Sequence, residues 1–464
     1  MRTDPGRTVH LDDLLAGVEL TAPLVGRDPI KWPGYLPECA VRWGRGHVAG
    51  HDVVLVAWDF HVFGGSYGEA EAQSLTDACA SAVAVGLPLV TVVRSGGTRL
   101  QEGMAALVGI PRSVLALESL AKAGLPHIAI ADHPTTGGVW VSIVSPADLR
   151  AGLAGATVGF SGPRVVEAMT GERSPSGSHT AESAFDAGLL DAVTPRTGLD
   201  AWLRRALGAW RAQAGAAVSR PPAPEPPERR GWAQVQATRK LGRPGGGALL
   251  DALIDDVVEL RGDRTVRAVA GHSAAGRPTV GVALAATRDG RPTPGGYALL
   301  ERAAGTAGRL GADLLLLVDT PGADPTAPSE AAGIAGAIAA GMRAVLDCRS
   351  PSLAVAHGEG GSGGALAAAV ADRLLVTPLG CFTALGAEGA AAALRTSPEV
   401  AADQAGLAPV DLLRLGFADG MVSGEPDVLR AAVAAELAEL AATDTHDRLA
   451  RRRERWARPL PGAL

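Results

Sequence analysis

The chain is poor in lysine, cysteine and aromatic residues, and it carries little net charge. Of its 43 basic residues only Lys31, Lys122 and Lys240 are lysines. There is no GxxxxGK[ST] phosphate loop, and few candidates exist for a Schiff-base amine. The four cysteines, Cys39, Cys79, Cys348 and Cys381, are scattered without a CxxC pair. That spacing argues against a zinc ribbon or a disulfide framework and reads as reduced core thiols, so no metal is expected. A net charge of −6 over 464 residues gives no basic footprint for nucleic acid. No apolar run reaches the length of a membrane span, and the opening Met1-Arg-Thr-Asp-Pro-Gly-Arg lacks the apolar core of a signal peptide. These absences predict a cytoplasmic protein with neither a nucleic-acid nor a membrane partner.

Glycine, by contrast, is abundant at 60 residues, and its placement is informative. The length predicts two or three domains. Residues 214–231 hold five prolines in the seven positions 221–227. Proline stiffens the chain, so this segment reads as a linker between domains at 1–213 and 232–464. On both sides, short apolar runs alternate with Ala/Leu-rich helical stretches. Val53–Ala57, Pro88–Val93 and His127–Ala131 read as buried strands before the linker. Thr279–Leu284, Asp313–Val318 and Ser352–Ala356 read so after it. Continuous apolar strands separated by helices predict an α/β fold with parallel β-α-β units.

The halves also match in order. Ser95-Gly96-Gly97 answers Thr320-Pro-Gly322. The doublet Gly137-Gly138 answers Gly363-Gly364 at an offset of 226, and Gly188-Leu-Leu-Asp191 answers Gly416-Phe-Ala-Asp419 at 228. A near-constant offset predicts internal duplication of one fold. Each doublet ends a strand and opens a small-residue helix. Side chains are absent where backbone must approach a ligand, and free helical N–H groups point at negative charge. The device built twice suits a reaction with two carbonyl partners.

Other motifs leave alternatives open. Gly64-Gly-Ser66-Tyr-Gly68 and Gly360-Gly361-Ser362-Gly-Gly364 both satisfy G-x-S-x-G, the nucleophile-elbow pattern, but no Asp-then-His pair completes a triad. Gly358-Glu-Gly-Gly-Ser-Gly363 satisfies G-x-G-x-x-G without the acidic residue about 20 positions on that a dinucleotide site requires. Arg94-Ser-Gly-Gly-Thr-Arg99 places arginine at a strand's carboxyl end, where Arg99 could fork onto a phosphate or carboxylate; the alternative is a solvated arginine at a helix start.

Taken together, Gly64-Gly-Ser-Tyr-Gly, Ser95-Gly-Gly-Thr-Arg-Leu-Gln-Glu-Gly103, Pro134-Thr-Thr-Gly-Gly-Val139 and Gly159-Phe-Ser-Gly-Pro-Arg-Val-Val-Glu167 resemble the β subunit of bacterial acetyl-CoA carboxylase carboxyltransferase. The second half is similar to its α subunit through Trp232–Arg239, Glu259–Arg264, Asp319-Thr-Pro-Gly-Ala323 and Gly358–Leu366. The resemblance spans roughly residues 30 to 425. It implies two fused crotonase-like (ββα spiral) domains, with coenzyme A on the β-like one and carboxybiotin on the α-like one. The implied reaction carries a carboxyl group from carboxybiotin to the α-carbon of a short acyl-CoA, acetyl-CoA first, giving malonyl-CoA for fatty acid biosynthesis. Biotin carboxylase and a biotin carboxyl carrier protein would act in trans, because no biotin-attachment segment or ATP signature is present. The active site would lie between domains of two protomers, implying a homodimer or larger assembly.

On this reading Gly137-Gly138 serve one oxyanion, and Gly363-Gly364 with Ala365 serve the other. Gly64, Gly65, Ser66, Ser95, Gly96, Gly97, Arg99, Gly322, Gly360 and Gly361 would line the cofactor side. The family's zinc ribbon is missing. Three α-like motifs are altered, to Gly322-Ala-Asp-Pro-Thr, Ser329-Glu-Ala-Ala-Gly and Leu385-Gly-Ala-Glu-Gly389. Two further readings keep the fold: a biotin-independent decarboxylase of a malonyl thioester, and a catalytically altered paralogue that binds acyl-CoA within a carboxylase complex.

Overall fold

The computed structural model describes residues 14, 16–240, 242–288 and 290–461. It resolves the chain into two compact units, Met1–Gly208 and Ala209–Leu464. In the first, β1 (Val18–Leu20), β2 (Val41–Val48) and β3 (His51–Trp58) run antiparallel. They continue into the parallel strands β4 (Leu89–Ser95), β5 (His127–Thr136), β6 (Leu149–Leu153) and β8 (Ala192–Thr194), while β7 (Val158–Gly159) joins the far end of β5. The second unit repeats this order with β9 (Asp255–Leu260), β10 (Arg267–His272), β11 (Pro278–Ala283), β12 (Asp313–Thr320), β13 (Ser352–Gly361), β14 (Arg373–Val376) and β16 (Gly420–Met421). There β15 (Cys381–Thr383) joins β13 as β7 joins β5.

The strands form where the sequence demands burial on both faces. Every residue of β12 and β13 is buried, which is why these runs carry no alternation. The antiparallel β2, nearer the sheet edge, has a mixed burial pattern instead. Helices cover the sheets: Glu69–Val85 and Met104–Lys122 in the first unit, Pro294–Leu310 and Ile334–Asp347 in the second. All four cysteines are buried free thiols, and burial pushes Cys39 up to about 11 and Cys79 to about 12.

The duplication extends to irregularities. The β4–β5 ladder slips after Val93, leaving Ser95 opposite Thr135. The β12–β13 ladder slips after Val318, leaving Thr320 opposite Gly360. Ser95 to Thr320 and Thr135 to Gly360 are each 225 residues, so the strands leading into the glycine doublets align at 225 rather than 226. Gly137 therefore corresponds to Ser362, and Gly138 to Gly363. Backbone conformation agrees, because Gly137 (φ +73°) and Ser362 (φ +62°) both take the left-handed step. The doublets looked equivalent in sequence only because glycine follows glycine in both.

Two further segments named in the sequence take definite places. The proline-rich segment 214–231 runs along the second unit. The Ala216 N–H donates to the Ala274 carbonyl (2.9 Å), and Arg220 pairs with Glu436 (3.0 Å). The helix Met104–Lys122 is, by length and composition, apolar enough to cross a membrane. Its buried face (Ala106, Gly109, Ser113, Ala116, Leu117, Leu120) packs within the first unit.

Candidate functional site

In the first unit three glycine loops meet at the carboxyl ends of β3, β4 and β5. The Gly96 N–H donates to the Gly64 carbonyl (3.0 Å), and the Tyr67 N–H to the Gly97 carbonyl (2.8 Å). Ser95 stabilises the turn by accepting at Oγ from the Gly97 N–H (3.1 Å). At three of these glycines the packing leaves little room for a side chain. A Cβ on Gly65 would stand 2.0 Å from the Arg94 carbonyl oxygen, one on Gly137 3.0 Å from Gly97 Cα, and one on Gly138 2.6 Å from Ile110 Cδ1. The structure thus brings Gly64, Gly65, Gly96, Gly97, Gly137 and Gly138 together.

The two members of the first doublet are not equivalent. The Gly137 N–H already donates to the carbonyls of Phe160 (2.9 Å) and Gly159 (3.2 Å), so it is no oxyanion donor. Gly138 opens the helical turn that continues as Trp140–Val144. Its N–H, like those of Val139 and Trp140, belongs to the set that has no acceptor inside a helix, and it stands first among the donors this end can offer.

Arg99 and Ser66 play a different part from the one expected. Arg99 is fully buried and directs its guanidinium inward. It meets Glu71 Oε1 (2.5 Å), Glu102 Oε1 (3.3 Å), the Ser66 carbonyl (3.1 Å) and Ser66 Oγ (3.2 Å). Glu71 also accepts from the N–H groups of Ala40 and Gly68, and Glu102 from Glu69 N–H and Tyr35 O–H. Arg99 therefore holds the 64–68 loop in place and is not free to fork onto a ligand. Ser66, hydrogen-bonded to Arg99, touches no histidine among the described residues and lacks the base a nucleophile needs.

The second unit builds the same turn. Thr320 Oγ1 accepts from the Gly322 N–H (3.2 Å), as Ser95 does for Gly97. A Cβ on Gly361 would stand 2.0 Å from the Pro321 carbonyl oxygen, and one on Gly360 2.3 Å from the Phe382 ring. The helix Ser362–Ala369 starts without any side-chain cap, so the N–H groups of Ser362, Gly363, Gly364 and Ala365 have no intrahelical acceptor. Gly364 is tightly enclosed, its Cβ position lying 2.5 Å from Ala323 N and 2.7 Å from the Tyr297 hydroxyl. Gly363 has no atom within 4 Å of the same position. Absence of a side chain there leaves open space rather than relieving a clash, which is what an approaching ligand needs.

Residues that sequence reasoning missed surround this second end. Arg291 is exposed and sets Nη1 3.8 Å from where a Cβ on Gly322 would stand. Its field adds to the hydrogen bonds that hold Asp324 and Glu388 below the usual carboxylate range. Tyr297 is fully buried with its hydroxyl unpartnered among the described residues, and burial pushes its pKa upward. Arg239 bridges Glu359 (2.9 and 3.0 Å) and Glu388 (2.5 and 3.0 Å), fixing the strand that precedes the doublet. Arg291 is one arginine among many in a loop without a motif, so no sequence signal singled it out.

Each unit thus presents, at its strand ends, backbone donors beside glycine-lined space, and the second adds a cation. Such an arrangement can stabilise an oxygen on which negative charge develops. Residues 31–184 match the carboxyl transferase domain family, and residues 228–458 match the acetyl co-enzyme A carboxylase carboxyltransferase-like family. A relative from Parafrankia sp. (strain EAN1pec), the acetyl-coenzyme A carboxylase carboxyl transferase subunits beta/alpha, is 35% identical over 90% of this chain and 77% of its own length. A probable biotin-dependent acyl-coenzyme A carboxylase beta3 subunit from Mycobacterium bovis (strain ATCC BAA-935 / AF2122/97) is also 35% identical, over 90% and 89%. Among solved structures, transcarboxylase 12S, crystallised with hydrolysed methylmalonyl-coenzyme A, superimposes with a TM-score of 0.78. That match has 20% identity and covers 94% of this chain and 89% of the other; it shows a shared crotonase-like fold.

Proposed function

Because the chain belongs to the carboxyltransferase family of the acyl-CoA carboxylases, we propose that it carries a carboxyl group from carboxybiotin to the α-carbon of a short acyl-CoA. Acetyl-CoA, giving malonyl-CoA, is the first candidate, since the β-then-α order matches the relative named for acetyl-CoA. The first unit, Met1–Gly208, takes the acyl-CoA, and the second, Ala209–Leu464, takes carboxybiotin delivered in the cytoplasm by a carrier protein that a biotin carboxylase has charged.

The observation that carries this reading is the twice-built strand end, with a free Gly138 N–H in one unit and the open Gly363 in the other. Abstraction of the α-proton puts negative charge on the thioester oxygen, and the Gly138 N–H holds that oxygen. One preorganised donor is worth about 3 kcal/mol by analogy with other oxyanion holes. Carboxybiotin supplies the CO₂ unit and, after losing it, a ureido nitrogen able to accept the α-proton. The residues of the second unit suit that group: Gly363 leaves room, the N–H groups of Gly363, Gly364 and Ala365 offer donors to a ureido oxygen, and Arg291 offers a cation to a carboxylate. No side-chain base is then needed at either end.

A homodimer or larger assembly completes the proposal. Met104, Leu107, Val108, Val114 and Leu115 are exposed along one face of the helix Met104–Lys122, an i, i+3, i+4 stripe of the kind a packed surface carries.

The reverse reaction tests the reading. Malonyl-CoA or methylmalonyl-CoA is incubated with and without free biotin or biotinylated carrier, and the acyl-CoA products are quantified. Biotin-dependent loss of the carboxyl group is expected, faster from malonyl-CoA. Loss at the same rate without biotin would sink the transferase in favour of the decarboxylase, and no turnover with any carrier would leave a binding subunit.

A further inference from the structure

The duplication exposes one place where the two units differ in kind. In the first, β5 continues past Ala131 into Asp132, and the loop after β8 supplies Arg196. The Arg196 guanidinium reaches both carboxylate oxygens of Asp132, at 2.8 and 2.9 Å. Ala131 pairs with Gly152 as Ala356 pairs with Val376, so Asp132 corresponds to His357. Val193 pairs with Gly152 as Met421 pairs with Val376, so Arg196, three residues on from Val193, corresponds to Gly424. The pair that bridges these strand ends in the first unit is thus absent from the second. In its place is a cavity of about 820 Å³ lined by His357 and Gly424. Its size lies within the range of small-molecule sites.

The walls define what fits. Arg229 and Lys240 stand exposed at the cavity against a single carboxylate, Glu425. Leu249 and Leu379 give it an apolar side. His357 is buried, and Arg243 Nη1 stands 3.3 Å from its Nδ1. Arginine can only donate, so Nδ1 accepts and Nε2 carries the proton; that Nε2 has no partner among the described residues.

We propose that this cavity binds a small amphipathic anion, a carboxylate or phosphate head carried on an apolar body, with the head at Arg229 and Lys240 and the body along Leu249 and Leu379. The site belongs to the second unit alone and does not depend on carboxyl transfer.

The full-length chain is titrated by calorimetry with decanoate and, separately, decyl phosphate at low salt, which tells the two head groups apart. At least one probe binds saturably at one site per chain. The double substitution His357→Asp with Gly424→Arg rebuilds the first unit's ion pair inside the cavity and weakens that binding at least tenfold, a change of about 1.4 kcal/mol. Lys240→Glu, on the surface and harmless to folding, weakens it in the same direction and decides the matter if the double variant does not fold. Failure of both probes to bind the native chain overturns the proposal. So does native-like affinity in the folded double variant, or in Lys240→Glu where the double variant cannot be used.

Discussion

Where the first unit buries Arg99, the second carries Asp324, 225 residues on and partly exposed. Both stand two residues past the left-handed glycine of the turn, Gly97 and Gly322, yet they hold it differently. Arg99 ties its loop down from within through Glu71, Glu102 and Ser66. Asp324 accepts hydrogen bonds from Ser329 and Thr326 in a local turn. The backbone path, the hydroxyl-to-glycine bond and the ladder slip were kept through duplication, while side-chain support diverged. The first end is tied down by buried side chains, and the second by a partly exposed local turn.

The largest expected effect separates these two kinds of support. Arg99→Met strands two carboxylates, Glu71 and Glu102, in a buried site and destabilises the chain by ~3–5 kcal/mol, the usual result of breaking a buried pair from one side. Asp324→Asn changes stability too little to resolve. Urea unfolding of both variants measures the contrast, and comparable losses would erase it.

The next effect concerns chemistry. Gly363→Ala meets no atom within 4 Å and sits at an ordinary φ, so its melting temperature stays that of the native chain. A methyl group in the space a ligand must enter lowers carboxyl transfer by roughly 10²–10³-fold, the scale of one lost oxyanion donor. Gly364→Ala, pressed against Ala323 backbone and Tyr297, loses stability as well as activity. Full activity in folded Gly363→Ala would remove that residue from the site.

How much of this was legible follows from where the information lies. The buried strands were, because β4, β5, β12 and β13 are covered on both faces and their sequences cannot alternate. The duplication was legible from glycine spacing, but its register was not. Gly137-Gly138 and Gly363-Gly364 match as letters, whereas the alignment is set by the ladder and by φ at Ser362. The role of Arg99 was hidden because its strongest partner, Glu71, lies 28 residues earlier and across a helix boundary. A residue type at a strand end announces charge, not the direction in which the charge is spent.

The Asp132–Arg196 pair and its counterpart His357 make a third comparison, visible in pH. Burial, aided by Arg243, lowers the His357 pKa to about 4 against an ordinary 6.5. Between those values an unfolded chain binds a proton that the folded chain refuses. The contribution is complete above pH 6.5 and is lost as pH falls towards 4, amounting to ~3 kcal/mol. His357→Gln flattens that part of the stability profile, measured by urea unfolding at pH 4.5 and 7. A profile as steep as that of the native chain would assign the acid sensitivity to other groups.

The smallest effect probes the corresponding pair Gly137 and Ser362. Ser362 stands between a strand and a helix at φ +62°, the conformation of a nucleophile elbow. The first unit makes the same step with Gly137 at φ +73°, where no nucleophile is possible. The shared turn therefore belongs to the duplicated backbone, and the serine bears its strain without chemical purpose. Ser362→Gly relieves a left-handed side chain at some cost in chain entropy, for a net change below about 1 kcal/mol, and leaves carboxyl transfer intact. Fluorophosphonate labelling of the native chain is silent at this residue. Labelling at Ser362, together with turnover abolished by Ser362→Gly at unchanged stability, would mean that the second unit turned an inherited bend into a nucleophile, and the likeness between the two ends would stop at the backbone.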